Sequence, residues 1–320
     1  MRPIVPRVST PPFLDLPTGV RDEPVVTARG TFAALRSGPE PGANRRTVLL
    51  VPGFTGSKED FIAVLAPIGA AGFPVVAYDQ RGQLGTAAAT PGPPPDGWSM
   101  PSFADDLLAV AAAVAAEPGA VEAVHLLGHS FGGLVARLAV LTAPERFRSL
   151  VLLDSGPASI GGHRDQQLLA LADGLPTLGL ATVWGIMRAL EVEAGNHPPE
   201  DPVVDDFLER RFLAHDPVGL AAMARFLATE PDRTDELVAA LAGAAGPGSR
   251  VLVAFGSADD AWSPEIQQET ASRLGAPAVS FPDAAHSPAA EAPGPTATTL
   301  VRFWDRSEGD GQPPQAEEEL

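Results

Sequence analysis

Short apolar runs alternate along this chain with longer stretches in which apolar residues recur every three or four positions. Thr47–Val51, Pro74–Tyr78, Val121–Leu127, Leu150–Leu153, Arg250–Phe255 and Ala278–Phe281 have the length and composition of strands. Between them lie helical patterns, among them Phe103–Ala116, Leu134–Leu141 and Ala297–Trp304. Strands alternating with helices predict an α/β fold whose mostly parallel sheet is covered on both faces. An earlier pair near Val25–Val26 and Thr31–Leu35 predicts an antiparallel edge. The helix at Phe103–Ala116 has clean limits, with Pro101 and Asp105-Asp106 near its start and Pro118 after it.

Residues 155–247 interrupt the alternation. Leu168–Leu171, Val183–Leu190, Val203–Phe212 and Val218–Leu227 are all helix-like and are separated by Pro and Gly, which predicts a helical insertion. Its apolar side chains, including Trp184, Ile186, Met187 and Phe226, are candidates to roof a pocket, although such stripes more often pack a helix on its core. The implied organisation is a core of residues 21–154 and 248–305, the insertion at 155–247, a flexible Pro-rich segment at 1–20 and a disordered acidic tail at 306–320. Pro91–Gly97 reads as a loose loop.

The chemistry is carried by Gly128-His129-Ser130-Phe131-Gly132, a G-x-S-x-G between a strand pattern and a helix pattern. That setting is a nucleophile elbow, a strained turn that exposes a serine hydroxyl. A serine hydroxyl needs a histidine base and an acid to orient that base. Asp259 follows the strand at Arg250–Phe255, and His286 follows the strand at Ala278–Phe281. Asp154, at the end of Leu150–Leu153, is the alternative acid. Asp260 reads as solvated, and Asp283 as stabilising its own turn. His125 lies inside a strand, and His129 precedes the nucleophile in the bend. His163, His197 and His215 lack metal-ligand spacing, so no metal is expected.

With its Ser, Asp, His order the chain resembles the α/β-hydrolase superfamily, and within it the single-domain serine hydrolases with a helical lid after the sixth strand. The resemblance extends to Val51-Pro52-Gly53-Phe54-Thr55-Gly56-Ser57, which is similar to the family's oxyanion loop after the third strand. Tyr78-Asp79-Gln80-Arg81-Gly82 is similar to its D-x-R-G turn after the fourth. It implies a sheet of about eight strands, a triad of Ser130, Asp259 and His286, and an oxyanion hole from the backbone N–H groups of Phe54 and Phe131. Substrate contacts are expected from Phe54, Trp184, Met187 and Trp262. Two departures stand out: Pro52-Gly53 replaces the frequent His-Gly, and the pattern after D-x-R-G is shifted to Gln83-Leu84-Gly85-Thr86. Asp79 reads as a turn carboxylate paired with a nearby arginine or backbone N–H.

Charge and composition narrow the partners. The net charge is −18 and Lys58 is the one lysine, so no basic patch holds phosphate backbones and no nucleic-acid partner is expected. The insertion is acid-rich, with 14 Asp plus Glu against 6 Arg, a field that favours neutral or cationic substrates over anions. The absence of cysteine fits a reducing compartment, and the expected location is cytoplasmic, with no membrane span. Neither a P-loop nor a dinucleotide fingerprint occurs, so no cofactor is expected. These readings point to a carboxylesterase acting on a small neutral apolar substrate. The alternatives on the same triad are an aminopeptidase-like amide hydrolase, a carbon–carbon bond hydrolase or lyase, and a ligand-binding receptor with a slow triad.

Overall fold

The computed structural model describes residues 8–39, 45–193, 199–242 and 250–309; His197 and most of the acidic tail lie outside them. Among the described residues ten strands occur in this order: β1 Arg21–Asp22, β2 Val25–Thr27, β3 Gly30–Phe32, β4 Ala34–Ser37, β5 Val48–Val51, β6 Val75–Tyr78, β7 Val124–His129, β8 Phe147–Leu153, β9 Val251–Gly256 and β10 Ala278–Phe281. Eight of them form one sheet in the order β1-β4-β6-β5-β7-β8-β9-β10. It is parallel from β6 through β10, with β4 antiparallel to β6 and β1 antiparallel to β4. The antiparallel edge therefore exists, but β1 and β4 build it. The Val25–Val26 segment instead pairs with β3 in a separate hairpin, register Val25 opposite Phe32.

The twofold period of the central strands explains why both sheet faces are buried. In β5, Leu49 and Val51 join one core cluster while Val48 and Leu50 join the other. The first cluster packs under α3 (Met100–Ala115) and α4 (Phe131–Thr142). The second packs under α1 (Ile62–Ala70) and the terminal helix Pro293–Glu308. That terminal helix buries Ala297, Leu300, Phe303 and Trp304, spaced at three and four residues as a one-sided stripe requires. In α3, Ser99 caps the N-terminus by accepting from the Ser102 N–H, and Pro101 takes the first turn, where a missing N–H costs nothing.

Between β8 and β9 the chain leaves the sheet, and the described residues there form five helices: His163–Leu178, Leu180–Glu193, Pro202–Leu213, Pro217–Leu227 and Thr234–Ala240. The insertion is fastened to the core by charged groups. Arg211 donates to Asp60 Oδ1 at 2.7 Å and to the carbonyl of Ser9 at 2.6 Å. Arg137 of α4 reaches the carbonyls of Pro157 and Pro231. Ser9 is itself buried, as are Pro11 and Val20 in the same N-terminal stretch, while most residues from 12 to 19 are exposed.

Asp79 pairs with Lys58 at 3.3 Å and accepts the N–H groups of Lys58 and Gly85, rather than meeting an arginine. Arg81 turns instead to Asp106. No helix among the described residues is long and apolar enough to cross a membrane.

Candidate active site

Three loops at the carboxyl ends of β7, β9 and β10 bring Ser130, Asp259 and His286 together. His286 Nε2 lies 2.9 Å from Ser130 Oγ, and its Nδ1 lies 2.8 Å from Asp259 Oδ1. All three side chains are buried.

Each residue is held by features of its own segment. Ser130 has φ 53° and ψ −121°, a strained conformation at the start of α4. Its N–H donates to the Leu153 carbonyl at 2.9 Å, and its carbonyl accepts from Ser155 Oγ at 2.9 Å. Only glycine fits on either side. A Cβ on Gly128 would stand 2.4 Å from the Gly132 oxygen, and one on Gly132 would stand 2.4 Å from the Val51 oxygen. Asp259 accepts from the Ala261 N–H at 2.9 Å and from Gln267 Nε2 at 2.7 Å, besides His286. The loop bearing His286 is tied by Glu291, which accepts from the backbone N–H of Ala285 at 2.5 Å.

The protonation pattern follows from these contacts. Burial alone would lower the pKa of His286, but the charge and hydrogen bond of Asp259, joined by the fields of Asp260 and Glu291, outweigh it and raise the net value. His129 goes the other way. Burial, then the neighbouring His286, push it down to about 3, so it is neutral and donates through Nε2 to the His286 carbonyl at 2.6 Å.

Asp154, the alternative acid, is fully buried behind the pair and accepts from the Gly256 N–H at 2.9 Å. Burial, then Asp259, push its carboxyl well above the usual range. One ligand atom each from Asp154, Asp259 and His286 falls within a 4.8 Å cluster, a spacing a metal ion could bridge. Both ring nitrogens of His286 are already engaged, Nδ1 with Asp259 and Nε2 with Ser130, and Asp259 already meets three N–H donors.

The loop 52–57 lies directly over the elbow: an ideal Cβ on Gly53 would be 3.0 Å from Ser130 Cβ. Gln80 Nε2 donates to the Pro52 carbonyl and Gln83 Nε2 to the Gly53 carbonyl, each at 2.8 Å. A trans peptide points its C=O and N–H to opposite sides, so drawing the Gly53 oxygen toward Gln83 turns the Phe54 N–H away from it. Neither Phe54 N–H nor Phe131 N–H donates to another acceptor among the described residues.

A pocket of about 30 Å³ adjoins Ser130, with Phe54, Thr55, Ile160, Leu227 and Ala261 in its wall and Asp60 and Ser9 at a polar end. Phe54 lines this pocket, whereas Trp184, Trp262 and Met187 lie outside its wall. Trp184 packs against Phe212 in a tilted arrangement, centroids 5.3 Å apart, and takes Arg188 over its ring, so it is engaged in packing between helices. Trp262 is buried over Gly156 with Nε1 donating to the Ala158 carbonyl at 3.2 Å, and it backs the His286 ring from 6.3 Å. Met187 lines a different cavity within the insertion.

His129, Gln80, Gln83 and the Asp60–Arg211 pair escaped the sequence reading as site residues. The Ser130 signal was local, whereas these act through contacts between segments 28 to 157 residues apart. Asp260 is exposed, as expected, and also pairs with Arg164 at 3.3 Å.

Residues 48–299 match the description Alpha/beta hydrolase family, and the chain belongs to that family. Among curated proteins, it is 34% identical over 113 residues to "Putative carbamate hydrolase RutD" of Variovorax paradoxus, covering 35% of this chain and 39% of that one. It is 30% identical over 125 residues to a proline iminopeptidase of Clostridium botulinum, covering 39% of this chain and 40% of that one. The matches therefore span well under two thirds of those relatives. Among solved structures, a thermophilic esterase from Thermogutta terrifontis superposes with TM-score 0.69 at 24% identity, covering 90% of this chain and all of that one. An enol-lactonase from Burkholderia xenovorans superposes with TM-score 0.67 at 18% identity, covering 88% of this chain and all of that one. At these identities the structural likeness concerns the fold.

Proposed function

We propose that this protein is a serine hydrolase that cleaves a carboxylic ester through an acyl-enzyme on Ser130. The observation that carries this reading is the continuous relay from Ser130 Oγ to His286 Nε2 at 2.9 Å and from His286 Nδ1 to Asp259 Oδ1 at 2.8 Å.

In the reading, His286 removes the hydroxyl proton as Ser130 Oγ attacks the ester carbonyl carbon. Asp259 holds the imidazole in the tautomer that presents a bare Nε2 to the hydroxyl, then stabilises the imidazolium. The negative oxygen of the tetrahedral intermediate is met by the N–H groups of Phe54 and Phe131, with the positive end of α4 adding to the field. The intermediate collapses as His286 gives its proton to the leaving alcohol. A water deprotonated by His286 then attacks the acyl carbonyl, and the acid leaves with Ser130 restored. Gln80 and Gln83 serve by fixing the peptide that carries the Phe54 donor. The small wall of Phe54, Ile160, Leu227 and Ala261 favours a neutral apolar substrate. The helices between β8 and β9 act as the lid.

An amine-terminal peptidase would need a free carboxylate to hold the substrate ammonium. The one acid in the pocket wall, Asp60, is already paired with Arg211, which weighs against that alternative. The test is a panel of neutral esters, lactones and aminoacyl-arylamides with wild type and Ser130→Ala. Ester turnover should dominate and fall by about 10⁴-fold or more in the variant, because the triad acts as a unit. Activity within tenfold of wild type in a folded Ser130→Ala protein would overturn the reading.

A further inference from the structure

Among the described residues, two cavities that lie against the insertion differ tenfold in size. The pocket at Ser130 is about 30 Å³, too small for anything beyond the reacting carbonyl and its nearest atoms. The second, about 300 Å³, lies between the helices His163–Leu178 and Leu180–Glu193, walled by Leu168, Leu171, Gly174, Val183, Met187 and Leu190. Its wall is almost wholly apolar, and its volume is at the lower end of small-molecule sites, which run from ~300 Å³ upward.

Two residues join the cavities. Ile160 stands in the wall of both. Arg164 lines the large one and pairs at 3.3 Å with Asp260, whose neighbour Ala261 lines the pocket at Ser130.

We propose that the larger cavity receives the unbranched apolar acyl chain of the substrate, entering past Ile160, so that the preferred esters carry medium-length alkyl acyl groups. The inference rests on the ester hydrolase reading and names its substrate class. The acyl group remains bonded to Ser130 after the alcohol departs, so one fixed cavity serves it through both half-reactions. Transfer of a methylene from water into apolar surroundings is worth a factor of about four in binding, which appears in kcat/KM.

Gly174 offers a clean way to fill the cavity. A Cβ there meets only Leu178 Cδ1 at 3.5 Å, an ordinary contact, so Gly174→Phe projects a ring into the space without displacing backbone. Replacing a glycine inside a helix also favours that helix. Met187→Phe fills the same space from the facing helix and serves if the first variant does not fold.

The experiment measures kcat/KM for p-nitrophenyl acetate, butanoate, hexanoate and octanoate. Wild type should prefer octanoate to acetate at least tenfold, and either plug should cut that ratio at least tenfold, chiefly through KM for the long ester. A ratio that does not rise with length in wild type, or one that neither folded plug lowers, overturns the proposal. If no ester is cleaved and Ser130 resists a fluorophosphonate, the hydrolase reading fails instead. The cavity is then judged by calorimetry with 1-octanol. Binding to wild type that Gly174→Phe abolishes supports an apolar-chain site, and no binding, or binding the plug leaves intact, overturns it.

Discussion

Two carboxylic acids stand behind His286, and their surroundings differ. Asp259 accepts three N–H donors, counting His286 Nδ1–H. Asp154 receives one, from Gly256, and is pushed well above the usual carboxyl range by burial and by Asp259. A neutral acid is well mimicked by an amide, so Asp154→Asn should keep activity within about tenfold. Asp259→Asn should cost roughly 10³- to 10⁴-fold, through the wrong tautomer and an unpaired imidazolium. The two also separate by pH. The base works when neutral, so the rate falls as pH drops through the His286 pKa, which lies above the ordinary 6.5. Removing the Asp259 charge leaves burial to lower that pKa, and the acidic limb of kcat/KM should move to lower pH in Asp259→Asn only. A pH profile of both variants checks this, and the reverse ranking at equal thermal stability would make Asp154 the acid. At this scale the sequence was most legible for Ser130, whose glycines and flanking elements are neighbours in the chain. Asp154 and Asp259 both follow a strand, and what separates them is the set of donors each meets in space.

At the scale of elements, one ion pair joins the insertion to the loop beside Ser130. Asp60 is buried, accepts from the Ser57 N–H at 3.2 Å, and depends on Arg211 for its charge partner. Arg211→Met should destabilise the protein by about 3–5 kcal/mol near pH 7, because it strands a buried carboxylate. Burial raises the Asp60 pKa against the opposing pull of Arg211. Without that pull it rises further, so the deficit should shrink as pH falls and Asp60 is neutralised. Urea melts at pH 5 and pH 7 measure both effects; a deficit under about 1 kcal/mol at both values would show the pair to be incidental. The pairing of α1 with its neighbours illustrates what the pattern concealed. Ile62–Ala70 carries Ala and Pro67 rather than charged residues on its outer side, so the sequence shows no helical stripe, although its burial is one-sided: Ile62, Val64, Leu65, Ile68 and Gly69 are buried while Pro67 and Ala70 are exposed. The two-residue edge strand Arg21–Asp22 is exposed and polar, and carries no hydrophobic signal at all. Five of the six apolar runs were legible because burial on both faces leaves strands little room for polar residues, whereas the sixth, Ala278–Phe281, is a half-exposed edge strand that buries only Phe281.

For the molecule as a whole, a net charge of −18 sets a long-range field around a pocket with an apolar wall. Matched neutral and anionic esters should differ in kcat/KM at low ionic strength in favour of the neutral one. The gap should narrow as salt shortens the Debye length to ~10 Å at 0.1 M. A salt titration on both esters reads this directly; equal rates at low salt, or an anionic preference, would mean that a local cation such as Arg164 governs entry. The fold class and the family were both legible from the chain, because alternating elements and one strained serine turn leave few architectures open. The occupant of the space between the insertion helices was not, since it depends on how those helices lean on one another. The proposed chemistry requires Ser130 to be an activated nucleophile. The direct measurement is intact-mass analysis after treatment with a fluorophosphonate at neutral pH, followed by peptide mapping. One adduct on Ser130, lost in Ser130→Ala and greatly slowed in His286→Ala, is the predicted result. An unlabelled wild-type protein, or an adduct elsewhere with Ser130 untouched, would contradict it.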